Sequence, residues 1–178
     1  MSIVTKLDYK FNFTAFKNLC LRFILENKDI FYKHHLDGVS KQLSVQHSAE
    51  TKLNKIVDGI GSAYDYKNYN ILNYNILNDF FKNTIVEEIV KEYTLYRTRI
   101  LQLNYKECYS VHQDGEKRIH IPIKTNPKSF MVFPEDNEVF HLQEGNIYLV
   151  DTTHYHTYLN GAKEARIHFV GGITENIL

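Results

Sequence analysis

The chain has 178 residues, with 21 Lys and Arg against 21 Asp and Glu and a formal net charge of zero. This balance supplies neither the basic stripe that nucleic acid requires nor an acidic tail for a charged partner. No segment reaches the roughly 20 apolar residues of a membrane span, and residues 1–8 hold no signal-like apolar run, so a soluble, cytoplasmic protein is expected.

The length fits one domain with a real hydrophobic core. Thirteen Tyr and eleven Phe, with no Trp, supply much of its volume. Cys20 and Cys108 lack C-x-x-C spacing and read as reduced thiols rather than a disulfide framework.

Phe13, Phe16, Cys20, Phe23 and Ile24 recur at helical spacing, which predicts an amphipathic helix over residues 13–26 capped by Asn12 or Thr14. His34 and His35 precede the turn signal Leu36-Asp37-Gly38, and adjacent loop histidines point apart, so no role is expected of them. Residues 39–45 alternate as a strand, with Val39, Lys41, Leu43 and Val45 on one side. Ser48-Ala49-Glu50-Thr51 leads into a short helix through Leu53, Ile56 and Val57 that stops at Gly59. Residues 62–75, rich in Tyr, Asn and Asp, predict an irregular loop fit to wall a substrate cleft. Asp79 is placed to cap a helix from Phe80 to about Glu92, burying Phe81, Ile85, Val86, Ile89 and Val90.

The period then changes from 3.6 to 2. Strands are predicted over residues 94–104, 107–113, 117–124, 129–133, 138–142, 146–151, 155–159 and 164–170, with breaks such as Asp114-Gly115, Asn126-Pro127 and Asn160-Gly161. Short strands at this spacing imply a sandwich or barrel. The expected class is α+β, mainly β: a single domain over 1–178, with 1–93 mostly helical support and loop and 94–171 a β-barrel core that carries the site.

Side chains alternate faces along a strand, so His112 and Asp114 point the same way and can reach one metal ion. Arg118, His120 and Pro122 share a face, as do His154, His156 and Tyr158, and Arg166, His168 and Val170. Asn160-Gly161 is a tight-turn signal, expected to fold the strand of His156 against that of Arg166. Two imidazoles and one carboxylate on one face of an ion make the triad of non-haem ferrous oxygenases, with three coordination positions left open. A structural zinc site is closed by four ligands, often Cys, and neither cysteine has suitable neighbours. A dicarboxylate co-substrate also needs a counter-cation, and the planar guanidinium of Arg166 meets a carboxylate in two parallel hydrogen bonds. On spacing alone, either His154 or His156 can be the distal ligand.

Residues 95–171 resemble the aspartyl/asparaginyl β-hydroxylase family of Fe(II)- and 2-oxoglutarate-dependent dioxygenases. The matching elements are residues 97–103, His112-Gln113-Asp114, Arg118-Ile119-His120-Ile121-Pro122, Thr125-Asn126-Pro127, Glu144-Gly145, His156 with Asn160-Gly161, and Arg166-Ile167-His168-Phe169-Val170. The resemblance implies a double-stranded β-helix (the cupin or jelly-roll fold). It implies His112, Asp114 and His156 as catalytic iron ligands, Arg166 at the far carboxylate of 2-oxoglutarate, and Arg118 and His120 beside the co-substrate. His156 is preferred over His154 because the family's His stands four residues before the Asn and ten before the Arg. With Fe(II), 2-oxoglutarate and dioxygen, such an enzyme releases succinate and hydroxylates an unactivated C–H bond of an amino acid or of a peptide or protein side chain, Asp- or Asn-like. The Trp residues common around the family's site are absent here, so substrate specificity is not carried over.

Two other readings fit the same residues. One is a barrel that binds a small acid or sugar without turnover; the other is a different metal-dependent cupin, such as a zinc or manganese isomerase, which needs no Arg beside its metal. The expected partner is a small-molecule or peptide/protein substrate, with no nucleic acid and no membrane, and oligomeric state is not legible in the sequence.

Overall fold

Period-two segments of this chain assemble into two facing β-layers. The computed structural model describes residues 2–30, 32–33, 41–51, 54–61 and 70–174. In chain order the elements are β1 (Val4–Leu7), α1 (Phe13–Glu26), β2 (Tyr32–Lys33), β3 (Lys41–Ser44), β4 (Gln46–His47), β5 (Ile76–Leu77), α2 (Ile85–Glu92), β6 (Tyr96–Leu103), β7 (Glu107–Cys108), β8 (Arg118–Lys124), β9 (Ser129–Phe133), β10 (Glu138–Phe140), β11 (Ile147–Val150), β12 (Thr157–Asn160) and β13 (Arg166–Gly172). The major sheet runs β1-β11-β8-β13-β6-β3-β2 and the minor sheet β10-β9-β12-β7, while β4 and β5 pair separately. From β8 onward the chain crosses repeatedly between the layers, with β9 and β10 paired as consecutive antiparallel strands of the minor sheet, which makes a double-stranded β-helix. The expected fold class holds. Among the described residues, no helix is long and apolar enough to cross a membrane.

Alternation divides the interior into two cores. The outer face of the major sheet presents Ile100, Ile119, Ile121, Ile147, Ile167 and Phe169 to the helices, against Phe16, Cys20 and Phe23 of α1 and Val86 and Ile89 of α2. The inner face and the minor sheet enclose Leu103, Met131, Phe133, Leu142, Tyr148, Val150 and Tyr158. Arg118 and His120 on β8, and Arg166 and His168 on β13, occupy the alternate positions and so share the inner face with this second core. A slip of one residue would exchange the two sets, so burial on both sides fixes the register. Pro122 lacks an N–H yet lies in a central strand; it is accommodated where the β8–β13 register shifts, between Ile167 and His168.

Helix α1 spans the predicted residues, and the Asn12 side chain accepts the Ala15 N–H at 3.0 Å. Elsewhere the structure departs from the sequence reading. The helix expected from Phe80 is broken: Asp79–Phe81 is a 3₁₀ turn, Asn83 has φ of 56°, and α2 starts at Ile85. Asp79 pairs with Lys82 at 2.5 Å instead of capping a helix. The short helix expected before Gly59 is not formed among the described residues, where 55–59 are turns and bends. Its supposed start, Ser48, is held by Asp58, whose carboxylate accepts both the Ser48 N–H and its hydroxyl, at 2.7 and 2.9 Å. The N-terminal half is also more than helical support, since β1, β2 and β3 extend the major sheet. His34, His35 and residues 62–69 of the expected Tyr-rich loop lie outside the described residues; within 70–75, Ile71–Asn73 is a 3₁₀ turn.

The largest correction concerns Asn160-Gly161. Strands β12 and β13 do not pair as a hairpin; β12 lies in the minor sheet and β13 in the major one. The Asn160 side chain acts as a corner staple instead. Its Nδ2 donates to the carbonyls of Leu103, Asn104 and Glu164 at 3.3, 2.9 and 2.9 Å. Those bonds carry the chain from one layer to the other, so His156 and Arg166 approach the inner space from opposite layers.

Candidate active site

The site begins with backbone pairing. Strand β7 ends at Cys108, short of the predicted strand, but His112 forms an isolated bridge with His156. The His112 N–H donates to the His156 carbonyl at 3.0 Å, and the His156 N–H to the His112 carbonyl at 2.7 Å. The chain then turns, and the Asp114 N–H donates to the Thr152 carbonyl at 2.8 Å. His112, Asp114 and His156 each offer one ligand atom, and these atoms all lie within 4.8 Å of one another.

Each imidazole is oriented by a carbonyl two residues upstream. His112 Nδ1 donates to Ser110 O at 2.7 Å and His156 Nδ1 to His154 O at 2.9 Å. With the proton on Nδ1, each Nε2 keeps its lone pair for a metal. His156 Nε2 lies 3.6 Å from Asp114 Oδ2, and that buried oxygen has no hydrogen-bond partner among the described residues. Two lone-pair atoms facing one another at this distance suit a cation.

The charge states fit as well. Burial alone would raise the Asp114 carboxyl, but Arg118 at 2.8 Å, helped by His156, His112 and Arg99, holds it below its ordinary value. Burial pushes His156 down to about 4, against the pull of Asp114. An ionised carboxylate and a neutral imidazole are the forms that bind metal.

Arg118 reaches Asp114 Oδ1 with Nη2 and grips Glu116 Oε1 with Nε and Nη2, at 3.1 and 2.9 Å. Glu116 was not singled out by sequence reasoning; the alternation Asp114-x-Glu116-x-Arg118 was the signal available. His120 is 7 % exposed, both its ring nitrogens lack a hydrogen-bond partner among the described residues, and burial, reinforced by Arg166 and Arg118, pushes it well below its ordinary value, so it is neutral. Arg166 is 1 % exposed, its Nε and Nη1 have no hydrogen-bond partner among the described residues, and its guanidinium lies 3.7 Å from the Tyr158 ring centroid.

His154 is not part of the cluster. The turn at residues 152–153 breaks the alternation expected there, and His154 faces the rim, where its Nδ1 meets Asp136 at 3.0 Å. Among the neighbouring aromatics, Phe133 packs on His156 with centroids 5.8 Å apart and Tyr109 on His112 at 6.4 Å. Tyr158 lies against Arg166, while Phe130 alternates outward and meets His141.

A family model described as aspartyl/asparaginyl β-hydroxylase matches residues 79–174, more than half of the chain. The chain belongs to the aspartyl/asparaginyl β-hydroxylase family. Among solved structures, it is similar to the viral collagen prolyl hydroxylase vCPH from Paramecium bursaria Chlorella virus-1, crystallised as a 2OG complex. The two are 9% identical, with 97% of each chain covered and a TM-score of 0.53. A prolyl-4-hydroxylase from Pseudomonas putida is 8% identical, over 96% of this chain and 91% of that one, with a TM-score of 0.52. At such identities the likeness is one of fold. No curated protein matches the chain in sequence. As a member of this hydroxylase family, with the fold of those two prolyl hydroxylases, the chain is an enzyme.

Proposed function

We propose that His112, Asp114 and His156 hold Fe(II), that Arg166 docks the far carboxylate of 2-oxoglutarate, and that the enzyme hydroxylates an amino acid or a peptide or protein side chain, Asp- or Asn-like. The observation that carries this reading is the buried Oδ2 of Asp114, without a hydrogen-bond partner among the described residues and 3.6 Å from His156 Nε2. Iron bound there would supply, with dioxygen, the oxidising power for attack on an unactivated C–H bond, at the expense of 2-oxoglutarate, which would be converted to succinate and carbon dioxide.

The chain's own residues orient, charge and dry the site. The Ser110 and His154 carbonyls keep both imidazoles in the tautomer that leaves Nε2 open. Arg118 keeps Asp114 ionised and takes up Oδ1, so Oδ2 is left for the metal. The unpartnered donors of Arg166 suit a carboxylate, since a buried guanidinium without an anion is costly. Arg118 and the neutral His120 lie beside that path and would serve the chelating end of the co-substrate. Leu103, Met131, Phe133 and Val150 line the same inner space with hydrocarbon, which excludes water and strengthens each charge interaction within it.

The test is succinate release from 2-oxoglutarate with ferrous iron under air, with amino acids and peptides screened for stimulation. Iron-dependent succinate, raised by an Asp- or Asn-containing substrate, is expected. No succinate from any mixture, with no change in melting temperature on adding iron or 2-oxoglutarate, overturns the reading.

A further inference from the structure

Arg166 has a partner that the proposed chemistry does not account for. Its Nη2 donates to His168 Nδ1 at 2.6 Å. A histidine that accepts at Nδ1 is neutral and carries its proton on Nε2, and His168 Nε2 meets the Tyr158 hydroxyl at 3.4 Å. The Tyr158 ring lies against the same guanidinium, and its centroid is 4.9 Å from that of His168. Arg166, His168 and Tyr158 are all nearly inaccessible, at 1, 0 and 2 % exposure. The guanidinium is therefore held on one face by a ring and at one nitrogen by a neutral acceptor, while Nε and Nη1 remain without partners among the described residues.

The chemistry of residue 168 decides what Arg166 can do. A carboxylate there would neutralise the guanidinium and compete with an incoming diacid. A hydrocarbon would leave a third nitrogen unsatisfied and the side chain free to rotate. A neutral imidazole fixes direction and leaves the positive charge intact. Burial and the neighbouring Arg166 both push His168 well below its ordinary value, so it stays neutral across the working range.

We propose that His168, backed by Tyr158, is the positioning residue for Arg166, fixing the guanidinium so that Nε and Nη1 are offered to a dicarboxylate without neutralising the charge that attracts it. This rests on the reading of Arg166 as the seat of 2-oxoglutarate.

The experiment compares wild type with His168→Asn, His168→Asp and His168→Leu. It measures 2-oxoglutarate affinity of the Mn(II)-loaded protein by calorimetry, Mn(II) affinity alone, and KM and kcat for succinate release with Fe(II). Asn keeps a neutral acceptor near the position of Nδ1 and is expected to bind 2-oxoglutarate within about threefold of wild type. Leu is expected to weaken binding about tenfold to a hundredfold, and Asp at least as much, despite being nearly the same shape as Asn. The losses should fall in KM, with kcat at saturating co-substrate and Mn(II) affinity unchanged. Should Leu fail to fold, the Asn–Asp pair decides alone. Equal binding by Asn and Asp, or a loss in Mn(II) affinity as large as that in 2-oxoglutarate affinity, overturns the positioning role. A wild-type protein that binds Mn(II) but no 2-oxoglutarate overturns instead the reading on which it rests, and the inference with it.

Discussion

His112 and His156 are joined by a reciprocal pair of backbone hydrogen bonds, at 3.0 and 2.7 Å, and their ring centroids lie 4.5 Å apart. The spacing of the two imidazoles is thus set by main chain, and replacing either ring leaves the frame standing. His112→Ala, Asp114→Ala and His156→Ala should each weaken Co(II) binding by more than the roughly 10- to 100-fold that loss of an outer-shell partner costs. Optical titration measures it, with circular dichroism to check the fold. Wild-type affinity in Asp114→Ala would show that the carboxylate is no ligand.

Arg118 is the main counterweight to the burial of Asp114. In Arg118→Leu, the carboxyl is expected to rise, so that metal binding is lost at a higher pH than in wild type. Removing one member of a buried pair also costs about 3 kcal/mol of stability. Metal affinity measured against pH, with urea unfolding of the metal-free protein, tests both. An unchanged acid limb of metal binding would mean that Arg118 does not govern Asp114.

His120 and His168 both have folded-state pKa values lowered well below the ordinary 6.5, through burial and the neighbouring Arg166. In the unfolded chain they protonate near 6.5, so the unfolded state binds more protons as pH falls through that value. Stability is fully present above 6.5 and declines on acidification below it. The melting temperature of the metal-free protein should fall steadily from neutrality to about pH 5, and less so in His168→Asn. A flat profile over that range would show that these imidazoles are not buried neutral.

Asn160 staples the crossing between layers through Leu103, Asn104 and Glu164. Asn160→Ala removes a donor from each of those carbonyls and should cost about 2–3 kcal/mol, read as a lowered melting temperature. Asn160→Asp should not restore it, because a carboxylate donates nothing to a carbonyl. Wild-type stability in either variant would return Asn160 to the role of an ordinary turn residue.

Much of the architecture is local in origin and so can be read from the sequence. The stripe from Phe13 to Ile24 specifies α1, and alternation along residues 118–124 and 166–172 specifies two central strands. His112 and Asp114 needed only spacing to be paired. The break in the second helix was harder to see, because apolar periodicity continues across Asn83 while its backbone takes a positive φ. Alternation alone did not separate His154 from His156, because it cannot report where strand β12 begins; the family's spacing to the Asn and the Arg was what favoured His156.

The sequence by itself determined the β class, the family resemblance and which side chains share a face, since these follow from residue type and a period of two. Only the tertiary structure decided that Asn160 carries the chain between layers rather than around a hairpin, that Glu116 grips Arg118, and that His168 grips Arg166. The reason is physical. Pattern fixes the side a residue faces, but which sheet a strand joins, and which buried donor meets which acceptor, depend on how distant segments satisfy each other's polar groups once water is gone.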